Sequence, residues 1–185
     1  MSDLTTLANV KEWLGIPPAT TTNDALLTRM IGAASDYIQT WLNRTFAIGP
    51  YSEVRDGSGG DRFMFGNYPV STVSSVKVDW LSVPASPGNG MPGYVFDGTT
   101  LTLLGGYRFS RAKSNVQVDY TAGFATTPKE VEQACIELVG LRYREMDRIG
   151  MVSKTLAGET ITFTQKDFSD SIETTLTNYK KVIPV

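Results

Sequence analysis

The chain contains no histidine and only one cysteine, Cys135. Without histidine it lacks the commonest general base, the commonest metal ligand and every Ser-His or Cys-His nucleophile system. A lone cysteine can close no intrachain disulfide and cannot hold zinc through thiolates by itself. Cys135 falls inside an apolar helical stripe, where a small buried core residue is expected. Basic runs are also missing. Arg108, Arg111 and Lys113, and the pair Lys180-Lys181, read as solvated surface. With 17 Lys and Arg against 19 Asp and Glu, the net charge is -2 and the pI about 5.2. Bulk charge therefore gives no reason to expect tight nucleic-acid binding. No apolar run is long enough to span a bilayer, and the first residues show no basic-then-apolar signal pattern. A cytosol-like compartment and no membrane partner are expected.

What is present is ordinary for a folded protein. Hydrophobic residues make up 41% and charged residues 19% of 185 positions, enough for one domain with a real core. Thr5 or Thr6 can cap a short helix reaching Leu14, with Leu7, Val10, Trp13 and Leu14 on one face and Gly15 and Pro17-Pro18 as its stop. A second helix is expected over residues 24–44, capped by Asn23. Its wide stripe holds Leu26, Leu27, Met30, Ile31, Ala34, Tyr37, Ile38, Trp41 and Leu42, with Thr28, Ser35, Asp36, Gln39 and Asn43 opposite. Gly32 lies on that polar side. Either a weak helix former is tolerated there, at about 1 kcal/mol against Ala, or another backbone approaches closely. A third helix over residues 129–149 opens on the capping box Thr127-Pro128-Lys129-Glu130 and is closed by Gly150. Val131, Ala134, Cys135, Leu138, Val139, Met146 and Ile149 form its main stripe, with Arg142 in the centre, either snorkelling at the helix end or paired across a subunit contact. Ile136, Gly140 and Tyr143 line a second, narrower face that a neighbour in an oligomer could cover.

Between these helices the period changes to two. Strands are expected over residues 62–65, 70–80, 94–96, 100–104 and 115–120, with a tight hairpin at Asp97-Gly98. DGSGGD at 56–61 reads as a plain turn, since it has neither the lysine of a phosphate loop nor the ligand spacing of a calcium loop. PASPGNGMPG at 84–93 reads as a projecting excursion. After Gly150 come a loop, a strand over 160–164 and a last helix over 171–181 capped by Asp170. The closing Tyr179, Lys180, Lys181, Val182, Ile183, Pro184 and Val185 are unusually apolar for such a segment, which suggests docking onto the chain's own core or onto a partner.

The ordered set of LTTLANVKEWLGI, DALLTRMIGAASDYIQTWLNRTF, YSEVRDG with YPVSTVSSVKVD, VDYTAGFATTPKEVEQACIELVGLRYREMDRIG and LAGETITF resembles the head–tail connector (adaptor, or head-completion) proteins of long-tailed bacteriophages. The resemblance covers most of the chain. It implies an α+β fold: a helical core of about four helices (4–48 and 127–185) with a β-rich insertion (about 50–122) between the second and third, in a single connector domain over 1–185. It implies a homo-oligomeric ring, dodecameric by family expectation, seated beneath the portal protein in the virion neck after assembly in the host cytoplasm. Such a ring completes the DNA-filled head, passes DNA transiently through its channel and offers a surface to a downstream neck or tail-completion protein. No catalytic residue, cofactor or metal is implied.

Three functions remain in view. The connector reading assigns portal or subunit docking to Tyr179–Val185 and subunit contacts to Gly32, Ile136, Gly140 and Tyr143, so that Gly140→Glu blocks rings and leaves a soluble monomer. Arg108, Arg111 and Lys113 are the channel- or partner-facing residues. A DNA-binding packaging accessory would need a basic recognition helix; here Arg142, Arg144 and Arg148 are offset by Glu132, Glu137, Glu145 and Asp147. An enzyme would need paired carboxylates such as Asp56 with Asp61 or Asp167 with Asp170, which in Gly- and Ser-rich turns serve as turn formers and caps.

Overall fold

The computed structural model describes residues 2–88, 90–146, 153–156, 159–162 and 170–181. The fold is mixed α+β, with four helices and antiparallel sheets among the described residues. It divides into a helical unit, Met1–Thr45 with Thr127–Lys180, and a strand unit, Phe46–Thr126, to which Lys181 also belongs.

The helical unit contains α1 (Leu7–Leu14), α2 (Asp24–Trp41), α3 (Lys129–Glu145), the hairpin β8 (Ser153–Leu156) with β9 (Glu159–Thr162), and α4 (Asp170–Thr177). Thr6 caps α1 as expected, its hydroxyl accepting from Asn9 N at 3.3 Å, and Gly15 ends the helix at φ 69°. Leu27, Ile31, Ala34, Ile38 and Leu42 of the α2 side pack against Val131, Ala134, Cys135, Leu138 and Val139 of α3, and all ten are buried. Burial of this kind contributes about 25 cal/mol per Å² of apolar surface.

Four expectations for this unit are corrected. Ser35 and Gln39, assigned to the solvent face of α2, are buried. The first residues of the chain cross that face: Leu4 N donates to Ser35 Oγ at 3.0 Å and Gln39 Nε2 donates to Ser2 O at 3.1 Å. The capping box at α3 does not form; Pro128 itself is the cap residue, with no side-chain cap bond. Its carbonyl takes the Val131 and Glu132 amides, while Glu130 is drawn off by Tyr179. A strand, β8, occupies part of the stretch read as loop. Asp170 is the first residue of α4, and that helix ends at Thr177, short of Lys181. Ile149, Gly150, Asp167 and Val182–Val185 lie outside the described residues.

The strand unit holds β1 (Gly49–Arg55), β2 (Arg62–Met64), β3 (Val70–Val78), β4 (Leu81–Ser82), β5 (Gly93–Phe96), β6 (Thr100–Leu104) and β7 (Val116–Ala122). One sheet has the order β1-β7-β3-β4 and the other β2-β6-β5, every pairing antiparallel. Val116, Val118, Tyr120 and Ala122 of β7 are buried in strict alternation. They share one core with Phe63, Phe65, Val76, Leu101 and Phe109. The Asp97-Gly98 hairpin forms, with Asp97 Oδ1 accepting from the Thr99 and Thr100 amides at 2.8 and 2.7 Å. Those bonds hold the Asp97 carboxyl below its usual range. Two strands, β1 and β4, were not expected. Trp80, expected as the last residue of the 70–80 strand, is instead 73% exposed in the turn between β3 and β4. The 84–93 excursion is tied back by Ser86 N to Tyr94 O at 2.8 Å.

Candidate functional site

The residues expected to face a neighbour are largely occupied within the chain. Ile136 and Gly140 are buried, and the covering element is α1. A Cβ at Gly140 would meet Trp13 Cδ1 and Nε1 at 3.0 Å. Tyr143 is half-buried and its hydroxyl accepts from Asn23 Nδ2 at 2.7 Å, which also draws the Asn23 side chain away from capping α2. Gly32 stands apart from these three: a Cβ there would find only Asp3 Oδ1, at 3.9 Å. Among the described residues no other backbone comes within 4 Å of that position. At Ile136 and Gly140 the second face of α3 is therefore a packing surface for α1. A groove of about 500 Å³ remains beside it, lined by Trp13, Glu132 and Ile136 among others.

The closing segment is also engaged. Tyr179 Oη donates to Glu130 Oε2 at 2.9 Å, a bond that raises the Tyr179 pKa, and Tyr179 O accepts from Arg44 Nη1 at 3.2 Å. Lys180 Nζ stands 5.5 Å over the Trp41 ring. Lys181 Nζ lies 3.5 Å from Asn67 Oδ1, at the limit of a hydrogen bond. Val182–Val185, the apolar part of the docking assignment, fall outside the described residues.

Arg108 and Lys113 are exposed, and Arg111 leans over the 56–61 turn, its Nε donating to Ser58 O at 3.3 Å. The turn itself is fixed from below. A Cβ on Gly57 would sit 1.8 Å from Ser110 O, so only glycine allows this approach. Asn115 Nδ2 donates to Asp79 Oδ1 and Ser110 O at 2.8 and 2.9 Å, while its Oδ1 accepts from Gly57 N at 2.8 Å. Ser110 and Asn115 hold the Asp79 carboxyl below its usual range. One buried amide thus gathers three loops. Asp56, considered with Asp61 as an acid pair, accepts from Ser114 N at 2.7 Å and acts as a turn former.

A second polar network crosses the four-stranded sheet. The Tyr120 hydroxyl donates to Glu53 and accepts from Asn67 N at 3.0 Å; Glu53 also accepts from Gly66 N at 2.9 Å and pairs with Arg55. Burial, and then the bond to Glu53, push the Tyr120 phenol from 10.0 up to about 12. A raised folded pKa means stability that is complete below pH 10 and lost as pH climbs through the folded value. Alkaline unfolding should therefore steepen between about pH 10 and 12 in the wild-type protein. Tyr120→Phe should flatten that limb and, by leaving Glu53 and Asn67 N short of a partner, cost about 2 kcal/mol at neutral pH. Urea unfolding at a series of pH values measures both. Cys135 is fully buried, 3.6 Å from Ser35 Oγ, and burial pushes its thiol up to about 11.

Among the described residues no group of three or more His, Cys, Asp or Glu stands where it could hold a metal ion, and no helix is long and apolar enough to cross a membrane. Sequence reasoning missed Lys11 as the tie between α1 and α2, and missed Trp80-Leu81 as a projecting apolar tip. The only available signal for the tip was Asp79, a residue type that tolerates positive φ.

The organised polar groups described in each unit hold loops and helices in place in an α+β protein. The family model described as head completion protein matches residues 3–182, and the chain belongs to the head completion protein family. The comparison with curated proteins gives no match. Among solved structures, a chain from "Neck of empty GTA particle computed with C6 symmetry" shares the fold with TM-score 0.57 at 18% identity, covering 97% of this chain and 90% of that one. One from "Virion of native gene transfer agent (GTA) particle" gives TM-score 0.57 at 16% identity, covering 100% and 96%. One from "Neck of native GTA particle computed with C12 symmetry" gives TM-score 0.55 at 16% identity, again covering 100% and 96%.

Proposed function

We propose that this chain is a structural neck protein that forms a ring beneath the portal of a phage-like particle, completes the DNA-filled head and offers the attachment surface for the tail or the next neck protein. Membership of the head completion family over residues 3–182 carries the reading. The likeness to chains from particle necks solved with sixfold and twelvefold symmetry supports a ring. We read the strands between α2 and α3 as an insertion into a helical connector core, the whole acting as one connector domain. The role is non-enzymatic and needs no cofactor. DNA passes transiently and is not gripped, in keeping with the net charge of -2.

Heads assembled without this protein should lose DNA and fail to join tails, and adding the full chain back should restore both. Normal, DNA-filled and tailed particles in its absence would overturn the role. The docking segment is narrowed to the apolar Val182–Val185, because Tyr179 and Lys180 are held by Glu130, Arg44 and Trp41. Removal of residues 182–185 should leave thermal unfolding unchanged and abolish head completion. Removal of 179–185 should lower stability as well, since it strips the contacts to α3 and α2. Normal head completion by the shorter truncation would exclude the segment as the portal contact.

A further inference from the structure

Three loops of the strand unit are tied to one another. Asp79 N donates to Asn115 O at 2.8 Å, and Asn115 Nδ2 and Ser110 Oγ both donate to the Asp79 carboxylate. Phe109 N donates to Gly60 O at 2.8 Å, and Gly57 N donates to Ala112 O at 3.0 Å. Segments 56–61, 79–81 and 107–115 therefore stand as one group mounted on the strands, the usual setting for binding residues. The conformation held there is costly. The turn Asp79-Trp80 joins β3 to β4, and both residues have positive φ, 51° and 66°. Asp tolerates this, but a bulky side chain there is an outlier that its surroundings must enforce. The three bonds to Asp79 enforce it. Strain of this kind collects at functional sites. The chain gains no packing in return, because Trp80 and Leu81 are each 73% exposed.

The side chains around this tip define the chemistry of what it meets. Tyr107 is exposed, and so are Arg108, Arg111 and Lys113, which flank the two residues that hold Asp79. None of the three cations forms an ion pair among the described residues. The nearby acids are mostly engaged: Asp79 accepts from Ser110 and Asn115, and Asp56 from Ser114 N at 2.7 Å. That leaves Asp61 as the remaining carboxylate of these loops, against three cations without an ion-pair partner. Trp, Tyr and Arg are the side chains that dominate binding energy at protein interfaces, and all three types gather here.

We propose that the Trp80-Leu81 tip, with Tyr107, Arg108, Arg111 and Lys113, is the docking surface for the next protein of the neck or tail, and that this partner presents an apolar pocket rimmed by carboxylates. The indole and Leu81 fill the pocket, where a desolvated aromatic anchor binds most strongly. The cations meet the rim and steer the approach. Phosphates would also answer the cations, but the apolar pair asks for a pocket of the kind a protein surface supplies.

This surface deepens the attachment role proposed above and rests on it, so the test separates the two. Heads lacking the chain are completed with full-length wild-type or variant protein, and retained DNA and joined tails are both measured. Trp80→Asn places a residue type that suits positive φ in the turn, so its thermal unfolding should not fall. Heads completed with it should keep their DNA as wild type does and join tails roughly 30-fold less. Arg108→Glu with Lys113→Glu changes only exposed side chains. It should slow joining, and added salt should speed this variant while slowing wild type. Normal joining by Trp80→Asn, or an unchanged rate and salt response in the charge-reversed protein, would overturn the surface and leave head completion standing. Loss of DNA from Trp80→Asn heads would also overturn it, because the tip would then serve the portal or a copy-to-copy contact. So would binding to a duplex oligonucleotide that charge reversal abolishes and Trp80→Asn leaves intact. Wild-type protein that restores neither DNA nor tails would overturn the role itself, and this surface with it.

Discussion

Gly140→Glu should destabilise the isolated protein by about 3 kcal/mol, the penalty of pushing an unpaired carboxylate into a packed helix contact. Gly140 is buried where α1 crosses α3, and the Trp13 ring lies 3.0 Å from the position a Cβ would take. Trp13 is 47% exposed and can swing aside for a methyl group. It cannot do so for a charged side chain without α1 lifting off. Gly140→Ala should therefore stay within about 1 kcal/mol of wild type, the gain in helix propensity offsetting the crowding. For a chain of this length 1 kcal/mol moves Tm by about 2–4 °C, so Gly140→Glu should lose about 6–12 °C. This reverses the expectation from the sequence, in which the same change spared the monomer and blocked only the ring. A soluble Gly140→Glu protein with unchanged Tm would mean that α1 does not cover this face in solution.

Lys11→Ala should cost about 3 kcal/mol or more, by breaking a buried, fully bonded charge. The Lys11 ammonium has three donors, and all three are used: Pro18 O at 3.0 Å, Thr20 O at 2.8 Å and Asp24 Oδ1 at 2.8 Å. Its side chain is 6% exposed and that of Asp24 28%, so water cannot replace the lost partner freely. The three bonds fold the loop between α1 and α2 back over the end of α1. Lys11→Met keeps most of the stem packing and isolates the charge. It should lose nearly as much as Lys11→Ala, and the double variant Lys11→Met with Asp24→Leu should recover part of the loss by removing the stranded carboxylate. Chemical unfolding of the four proteins measures the set. A Lys11→Met variant as stable as wild type would show that the ammonium is not holding this loop.

The helices were legible because their apolar residues repeat at helical spacing and their ends carry recognisable stops, as at Thr6 and Gly15. Strands β3, β5, β6 and β7 were legible from alternation. What failed were surfaces whose partner is remote in sequence. Ser35 and Gln39 are polar on any wheel, yet the segment around Leu4 covers them. Glu130 completes a capping box on paper, yet Tyr179 takes its carboxylate. Trp80 continues an alternating run, yet the chain reverses at Asp79-Trp80 and turns the indole outward.

The candidate surfaces divided in the same way. The family resemblance was readable as an ordered series of local patterns, each short enough to be fixed by neighbouring residues. Which apolar faces stay uncovered was not readable: Ile136 and Gly140 went under α1, while Trp80 and Leu81 came out. Composition and periodicity alone determined that this is an α+β protein with amphipathic helices and alternating strands, because those features depend on contacts a few residues apart. Only the tertiary structure decided which faces meet, since burial is settled by whichever distant segment arrives to exclude water.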